Sequence, residues 1–266
     1  MRKTRLDLLI MAKGMVESRN LAQRIIMAGE VRVNGEIVDR PSAQVLESDL
    51  IVIKSQPLYV SRGGIKIEAG LIAFGLTQLN GRVCADVGAS TGGFTDCLLQ
   101  HGAKKVYSID VGTGLLHWKL RNDPRVIVME KTNARYLTEL PEKIELATID
   151  ASFISLKTLL PVVKNWLMMN GVIIALVKPQ FEAGRELSAR GKGVIRDPQI
   201  HLDVLKEIAI FSKNCSFEVK GIIPSPIIGP KGNREFLLYL SYPQSSDENE
   251  KRLLERVIKN NDQLTQ

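Results

Sequence analysis

Asp86-Val87-Gly88-Ala89-Ser90-Thr91-Gly92-Gly93-Phe94-Thr95-Asp96 is the stretch whose reading settles the fold. It follows the apolar run Val83-Cys84-Ala85 and leads into a segment of helical pattern from Phe94 to Gln100. An acidic residue leaving a strand, then a glycine-rich turn, then a helix, is how open α/β sheets cradle nucleotide-like ligands. Glycines at 88, 92 and 93 let the backbone take positive φ and approach a ligand closely. No Gly-Lys-Ser/Thr closes the loop, so it is not a Walker A site. Its glycine spacing does not fit the dinucleotide fingerprint either.

Working outward, the chain from about Tyr59 alternates strand and helix, which predicts a mostly parallel sheet. Strands are expected at Val83–Val87, Val106–Ile109, Val126–Met129, Leu146–Ile149 and Val172–Val177, with later ones centred on 218–223 and 236–240. Helices are expected at Lys66–Phe74, Phe94–Gln100, Leu115–Leu120, Leu156–Leu167 and Gln199–Lys213. In the tail, Leu253, Leu254, Val257 and Ile258 fall at helical spacing, which predicts a short amphipathic helix.

The N-terminal part reads differently. Asp7 to Lys13 and Ser18 to Ala28 predict two short helices, the second with Ser18 as N-cap and Gly29 just past its end. Val31 to Val38 predicts a hairpin turning on Asn34-Gly35, and Leu50 to Lys54 a further strand. Basic side chains surround this module, among them Arg5, Arg19 and Arg24. The expected organisation is a small α+β domain over 1–56, a linker at 57–62, an α/β domain over 63–245 and a tail at 246–266.

At 266 residues the chain holds one large domain and a small one, and 44% hydrophobic with 24% charged residues is ordinary for a globular protein. The net charge of +7 favours an anionic partner, nucleic acid first. Cys84, Cys97 and Cys215 form no Cys-x-x-Cys pair, which argues against disulfide scaffolds and structural zinc and fits a reducing cytoplasm. Three scattered histidines offer no metal site. The apolar region from Thr158 to Val177 is interrupted by Pro161, Lys164, Asn165, Asn170 and Gly171, so no membrane span is expected. Nor does the N-terminus carry a signal-peptide core.

Asp-x-Gly-x-x-x-Gly-Gly-Phe resembles the S-adenosylmethionine loop of class I methyltransferases, and closely that of FtsJ-like RNA 2′-O-methyltransferases. Ala28-Gly29-x-Val31-x-Val33-Asn34-Gly35 after two helices resembles the S4-type RNA-binding domain. Lys66, Asp150, Lys178 and Glu235, in that order, resemble the Lys-Asp-Lys-Glu tetrad of ribose 2′-O-methyltransferases. "Val-Ser-Arg-Gly-Gly-x-Lys" at 60–66, "Leu-Arg-Asn-Asp-Pro-Arg-Val" at 120–126, "Thr-Asn-Ala-Arg" at 132–135, "Ser-Phe-Ile-Ser-Leu" at 152–156 and "Leu-Val-Lys-Pro-Gln-Phe-Glu" at 176–182 are similar to the TlyA family. That family comprises ribosomal RNA cytidine 2′-O-methyltransferases with an N-terminal S4 domain, historically also labelled hemolysins. The resemblance implies a class I fold ending in an antiparallel strand, S-adenosylmethionine as cofactor, and ribosomal RNA or ribosomal subunits as partner. A monomer is the expected state.

The chemistry gives an independent reason for these residue types. A ribose 2′-hydroxyl is a poor nucleophile, so its proton must leave as the methyl arrives, and a lysine serves as base only where its surroundings favour the neutral amine. Lys178 is the expected base. Lys66 is expected to hold ribose or phosphate, and Asp150 and Glu235 to orient the amines and the hydroxyl. Asp86, Gly88, Ser90, Thr91, Gly92, Gly93 and Phe94 are expected around the methionine part of the cofactor, with Asp150 beside it. Asp110 is placed for the ribose hydroxyls. Asn133 reads the adenine edge or is an ordinary loop residue; Phe153 stacks on adenine or fills the core. Arg62 is expected on the RNA side. Glu182 to Asp197, with Arg185, Arg190 and Lys192, reads as a basic RNA-contacting loop or a plain surface loop.

Base methylation is the nearest rival. It would call for Asn/Asp-Pro-Pro-aromatic after the fourth strand or a Pro-Cys pair, and the chain has Asp150-Ala151-Ser152-Phe153 and no Pro-Cys. A non-catalytic ribosome-binding factor would be free to lose the lysines and the glycine loop, yet all are present.

Overall fold

The computed structural model describes residues 3–54, 58–184, 191 and 193–242, which divide into two units, 1–58 and 59–266. Arg185, Arg190 and Lys192 of the expected basic loop, and the expected tail helix, lie outside the described residues.

In the first unit, β1 (Lys3–Arg5) leads into α1 (Leu6–Ala12) and α2 (Arg19–Met27), followed by β2 (Val31–Val33), β3 (Glu36–Ile37), β4 (Gln44–Leu46) and β5 (Ile51–Ile53). Ser18 caps α2 by accepting the Leu21 N–H. Gly29 follows its end at φ +71°. Asn34 and Gly35 both take positive φ, as a two-residue hairpin turn between right-twisted strands requires. The strands form a three-stranded sheet, β3-β2-β5, and a separate β1-β4 pair. That pair is absent from the sequence reading, because three polar edge residues carry no alternation to reveal it. Leu6, Ile10, Ala22, Ile26 and Val31 close the core.

The second unit opens earlier than the expected linker allows. Tyr59, assigned to 57–62, is 4% exposed, and its ring lies where a β-carbon on Gly64 would meet it at 2.2 Å. The Val60 N–H donates to Asp96 Oδ2 at 2.9 Å. The chain runs through α3 (Gly63–Ala73), β6 (Val83–Val87), α4 (Gly93–Gln100), β7 (Lys105–Ile109), α5 (Trp118–Arg121), β8 (Val126–Met129), β9 (Ile144–Ile149), α6 (Leu156–Lys164), β10 (Leu167–Val177), α7 (Pro179–Glu182), α8 (Pro198–Asn214), β11 (Glu218–Pro224) and β12 (Phe236–Ser241).

The seven strands order as β11-β12-β10-β9-β6-β7-β8, parallel from β10 to β8, with β12 antiparallel to both its neighbours. Both faces are covered, so the strands read as continuous apolar runs. Ile67 and Leu71 of α3, Leu98 of α4 and Leu120 of α5 pack on one face with Cys84 and Ile174. Leu159 and Leu160 of α6 and Val204 and Ile208 of α8 pack on the other with Ala85 and Ala175. The helix expected over 115–120 is one turn at 118–121, because residues 111–116 instead form a loop held by the Gly112 N–H on Asp110 and the Gly114 N–H on Glu130.

This order places the site. The chain starts at β6, moves outward to β7 and β8, then returns to β9 on the other side of β6. Ligands of open sheets bind outside the carboxyl ends of the strands where the order reverses. Here those ends carry Gly88 and Asp150.

Candidate active site

Asp86 lies beneath the glycine turn, not in it. It is fully buried and accepts from the Thr95 N–H at 2.9 Å, the Thr95 hydroxyl at 2.7 Å and the Thr148 hydroxyl at 3.0 Å. Burial pushes its carboxyl up to about 7, against the lowering effect of the Thr95 and Thr148 hydrogen bonds. Expected at the cofactor, it pins the start of α4 to β6 and β9.

Above it the turn is drawn tight. The Gly88 and Ala89 N–H groups donate to Ile109 O, and the Ser90 N–H donates to Asp110 Oδ2 at 2.8 Å. Asp110 thus shapes the turn; its other oxygen receives the Gly112 N–H at 2.7 Å. Each carboxylate oxygen keeps a second lone pair for a ligand hydroxyl. Gly92 faces away: at φ +94°, a β-carbon there would meet Leu120 Cδ1 at 2.2 Å, so its role is packing on α5.

A cavity of about 240 Å³ opens beside this turn. Of the expected residues, Arg62, Lys66, Gly88, Ser90, Thr91, Gly93, Phe94 and Asp150 line it. Ser61, Ala89, Ile227, Ile228 and Gly229 line it too and were missed as site residues. Gly229 could have been found from the Gly-Pro turn that shortly precedes Glu235. Nothing in the local pattern marks Ile227 or Ile228.

The four tetrad positions form two ion pairs. Lys66, in the first turn of α3, places Nζ 2.6 Å from Oε2 of Glu235, the residue just before β12. Lys178, just past β10, places Nζ 2.5 Å from Oδ1 of Asp150, just past β9. Lys66, Lys178 and Glu235 are buried, whereas the Asp150 side chain is 22% exposed. Asp150 Oδ1 receives no aligned hydrogen bond besides that ion contact, which leaves lone-pair capacity on a carboxylate at the cavity wall. Lys178 Nζ also donates to Ser152 Oγ at 3.0 Å and lies 6.0 Å from the Phe181 ring centre.

The turn carrying Lys178 is tied down by Glu182. Its half-buried carboxylate accepts the Ser155 hydroxyl at 2.5 Å and the Leu156 N–H at 2.8 Å, which closes the start of α6. Burial pushes this carboxyl up.

Like Asp86, Gly92 and Asp110, the expected cofactor residues Phe153 and Asn133 are not among those lining the cavity. Phe153 is 90% exposed at φ +63°, with its ring 5.0 Å from that of Phe181, so it neither lines the cavity nor fills the core. Asn133 is exposed and spends its side-chain oxygen on the Arg135 N–H, capping a short turn. The adjacent Thr132 N–H, bonded to Asp110 O, keeps Asn133 near Asp110.

In the first unit, Arg5 grips Asp7 through two hydrogen bonds of 3.0 Å, and Arg19 and Gln23 add one each at 3.0 Å. Asp7 is fully buried, and the Arg5 hydrogen bond holds its carboxyl well below the usual carboxylate range. Arg5 and Arg19 are therefore structural as well as basic, while Arg24 is exposed.

Among the described residues no cluster of His, Cys, Asp and Glu could hold a metal ion, and no helix is long and apolar enough to cross a membrane.

Residues 59–242 match the family model for FtsJ-like methyltransferases, and residues 4–51 match that for the S4 domain. The chain is 46% identical over 265 residues to a Bacillus subtilis protein provisionally named rRNA methyltransferase YqxC, covering 97% of this chain and 92% of that one. It is 41% identical over 245 residues to the Mycobacterium tuberculosis protein named 16S/23S rRNA (cytidine-2′-O)-methyltransferase TlyA, covering 90% of each. A solved structure from Streptococcus thermophilus, provisionally titled a hemolysin, superposes with a TM-score of 0.74 at 42% identity, covering 99% of this chain and 97% of that one.

Proposed function

The chain belongs to the FtsJ-like methyltransferases that carry an S4 domain, and from that premise we propose that it methylates a ribose 2′-hydroxyl of ribosomal RNA, on cytidine in the small or large subunit, with S-adenosylmethionine as methyl donor. One observation carries the reading: a glycine turn and two lysine–carboxylate pairs converge at the point where the strand order reverses.

The residues present fit that cofactor. The turn at 88–93 leads into the N-terminus of α4, which suits a carboxylate. Asp150, with an oxygen short of hydrogen bonds, suits a cationic centre, and Asp110 suits ribose hydroxyls. When bound, the cofactor supplies an activated methyl on a sulfonium, so in-line positioning carries much of the rate.

The chain's own residues do the rest. Lys178 takes the proton of the 2′-hydroxyl as the methyl transfers. Asp150 holds that amine in place. Lys66, fixed by Glu235, presents a cation at the cavity wall to ribose or phosphate. Arg62, exposed at the cavity rim, and Arg24 of the S4 unit contact RNA phosphates, which fix register without reading sequence. Phe153 offers its open ring face to a base rather than to the cofactor's adenine. One copy holds every element of this site, so a monomer suffices, and the compartment we propose is the cytoplasm.

Mapping 2′-O-methyl groups in ribosomal RNA with and without this protein tests the proposal. A ribose methyl blocks alkaline cleavage of the adjacent phosphodiester, so the hydrolysis ladder loses one band at the target. A methyl found on a base would overturn the reading.

A further inference from the structure

Lys178 is held by more than its carboxylate. Its Nζ has Asp150 Oδ1 on one side and Ser152 Oγ, at 3.0 Å, on another, and the Phe181 ring lies 6.0 Å away. Asp150 and Ser152 belong to one short loop between β9 and α6. That loop is clamped at its far end by the Glu182 carboxylate on the Ser155 hydroxyl and the Leu156 N–H. Glu182 is itself four residues beyond Lys178. The lysine and both its partners therefore sit on one braced unit.

A tetrahedral amine has four directions, one of which is its own carbon chain. With one N–H donated to Ser152 Oγ and Asp150 Oδ1 in ion contact on another side, a single direction remains, and in the neutral amine it carries the lone pair. The Asp150 ion contact, which is not aligned as a hydrogen bond, does not by itself fix rotation about the Cε–Nζ bond or the direction of the lone pair. A second fixed acceptor removes this freedom. We infer that Ser152 is a positioning residue for methyl transfer: its hydroxyl, acting with Asp150, aims the reactive valence of Lys178 at the incoming 2′-hydroxyl.

The side chain type fits. Ser152 is exposed and has no packing duty, so a residue chosen only to cover surface could be almost anything polar. A hydroxyl accepts from the lysine while its own proton stays free to point to water. A carboxylate there would add a second negative charge beside Lys178 and favour the ammonium over the base. In the reaction the 2′-O–H bond breaks, the O–CH3 bond forms, the S–CH3 bond breaks, and the proton ends on Lys178 Nζ. Ser152 takes part in none of these bond changes; it acts through the lysine.

This inference rests on Lys178 being the base, and the test separates the two. In the full-length protein with ribosomal substrate, Ser152→Ala should lower kcat by about ten- to a hundredfold, the range for losing one hydrogen bond to a reacting charged group. KM for RNA and calorimetric affinity for S-adenosylmethionine should be unchanged, because Ser152 is not among the cavity-lining residues. Ser152→Thr, which keeps the hydroxyl, should restore most of the rate. A merely structural role would move cofactor affinity or thermal stability along with kcat. If Lys178→Ala is inactive while Ser152→Ala turns over normally, the positioning role is wrong and the base assignment stands. If Lys178→Ala remains active, the base assignment fails and this inference with it.

Discussion

Gly88 and Asp150 touch through their backbones: a β-carbon on Gly88 would come within 2.7 Å of the Asp150 carbonyl oxygen. The first glycine of the turn is therefore required by the neighbouring strand end, besides lining the cavity. Gly88 is also at φ +82°, where an L side chain is strained. Gly88→Ala should destabilise the protein by about 1–3 kcal/mol and push Asp150 away from Lys178. Turnover should fall more than S-adenosylmethionine affinity does. Thermal unfolding with single-turnover kinetics checks this; a variant losing only cofactor affinity would return the glycine to the role read from the sequence.

Gly229 serves Glu235 in the same way. A β-carbon there would stand 2.3 Å from Oε1 of the buried Glu235, so the carboxylate would have to move. Gly229→Ala should displace the carboxylate from Lys66, leaving a buried ammonium with a poorer partner. The expected result is a loss of turnover greater than about tenfold, on the scale of one disturbed charge-assisted hydrogen bond. Because Gly229 lines the cavity, cofactor affinity is measured in parallel, and a drop confined to affinity would contradict the role given to it.

The framework was legible because apolar runs bounded by turn residues leave little choice. Val83–Val87 and Val126–Met129 have in the structure the bounds read from sequence. The pairing of Lys66 with Glu235 was not legible, since it joins residues 169 apart in the chain and only the sheet order brings them together. Asp86 misled for a physical reason: an acid before a glycine turn has the same local pattern whether it faces the ligand or, as here, points down at Thr95 and Thr148. Gly92 misled likewise, because positive φ shows that a glycine is needed but not what it packs against.

Asp86 gives the second unit a pH-dependent stability. Its folded value, about 7, lies above that of a carboxyl in the unfolded chain, near 4. The native state holds the proton more tightly, so this contribution is full below the unfolded value and is lost as pH rises through about 7. Asp86→Asn keeps a side chain of the same shape that can accept from Thr95 and donate to Thr148. It should make unfolding free energy fall less between pH 4 and 8 than in the parent, measured by denaturant titration at each pH. Parallel curves for the two proteins would show that Asp86 ionises freely.

The S4 unit shows the opposite sign. Arg5 holds the buried Asp7 carboxyl below its unfolded value, so the stability it contributes is present above about pH 4 and is lost as pH falls. Removing Arg5 or Arg19 leaves Asp7 buried with fewer partners, which should lower thermal stability as well as RNA affinity. Arg24→Ala should weaken RNA binding and lower the salt dependence by about one unit of log–log slope while leaving thermal unfolding unchanged. Unaltered stability in Arg5→Ala would show that the Asp7 cluster is not what holds α1 to α2.

Lys178 carries the sharpest prediction. Lys178→Ala should abolish methyl transfer with little change in cofactor or RNA affinity, because Lys178 acts on the reacting hydroxyl and Asp150, not Lys178, lines the cavity. Lys178→Arg should fail as well, since a guanidinium stays protonated near neutral pH and cannot accept the proton. Lys66→Ala, Asp150→Ala and Glu235→Ala should each lower turnover severely, but the losses should not add. Each ion pair is one unit, so removing Glu235 after Lys66, or Asp150 after Lys178, takes away a group whose partner has already gone. Double-mutant cycles on single-turnover rates read this directly. Strict additivity within either pair would mean that the two members act separately, and full activity in Lys178→Ala would remove the lysine from the chemistry altogether.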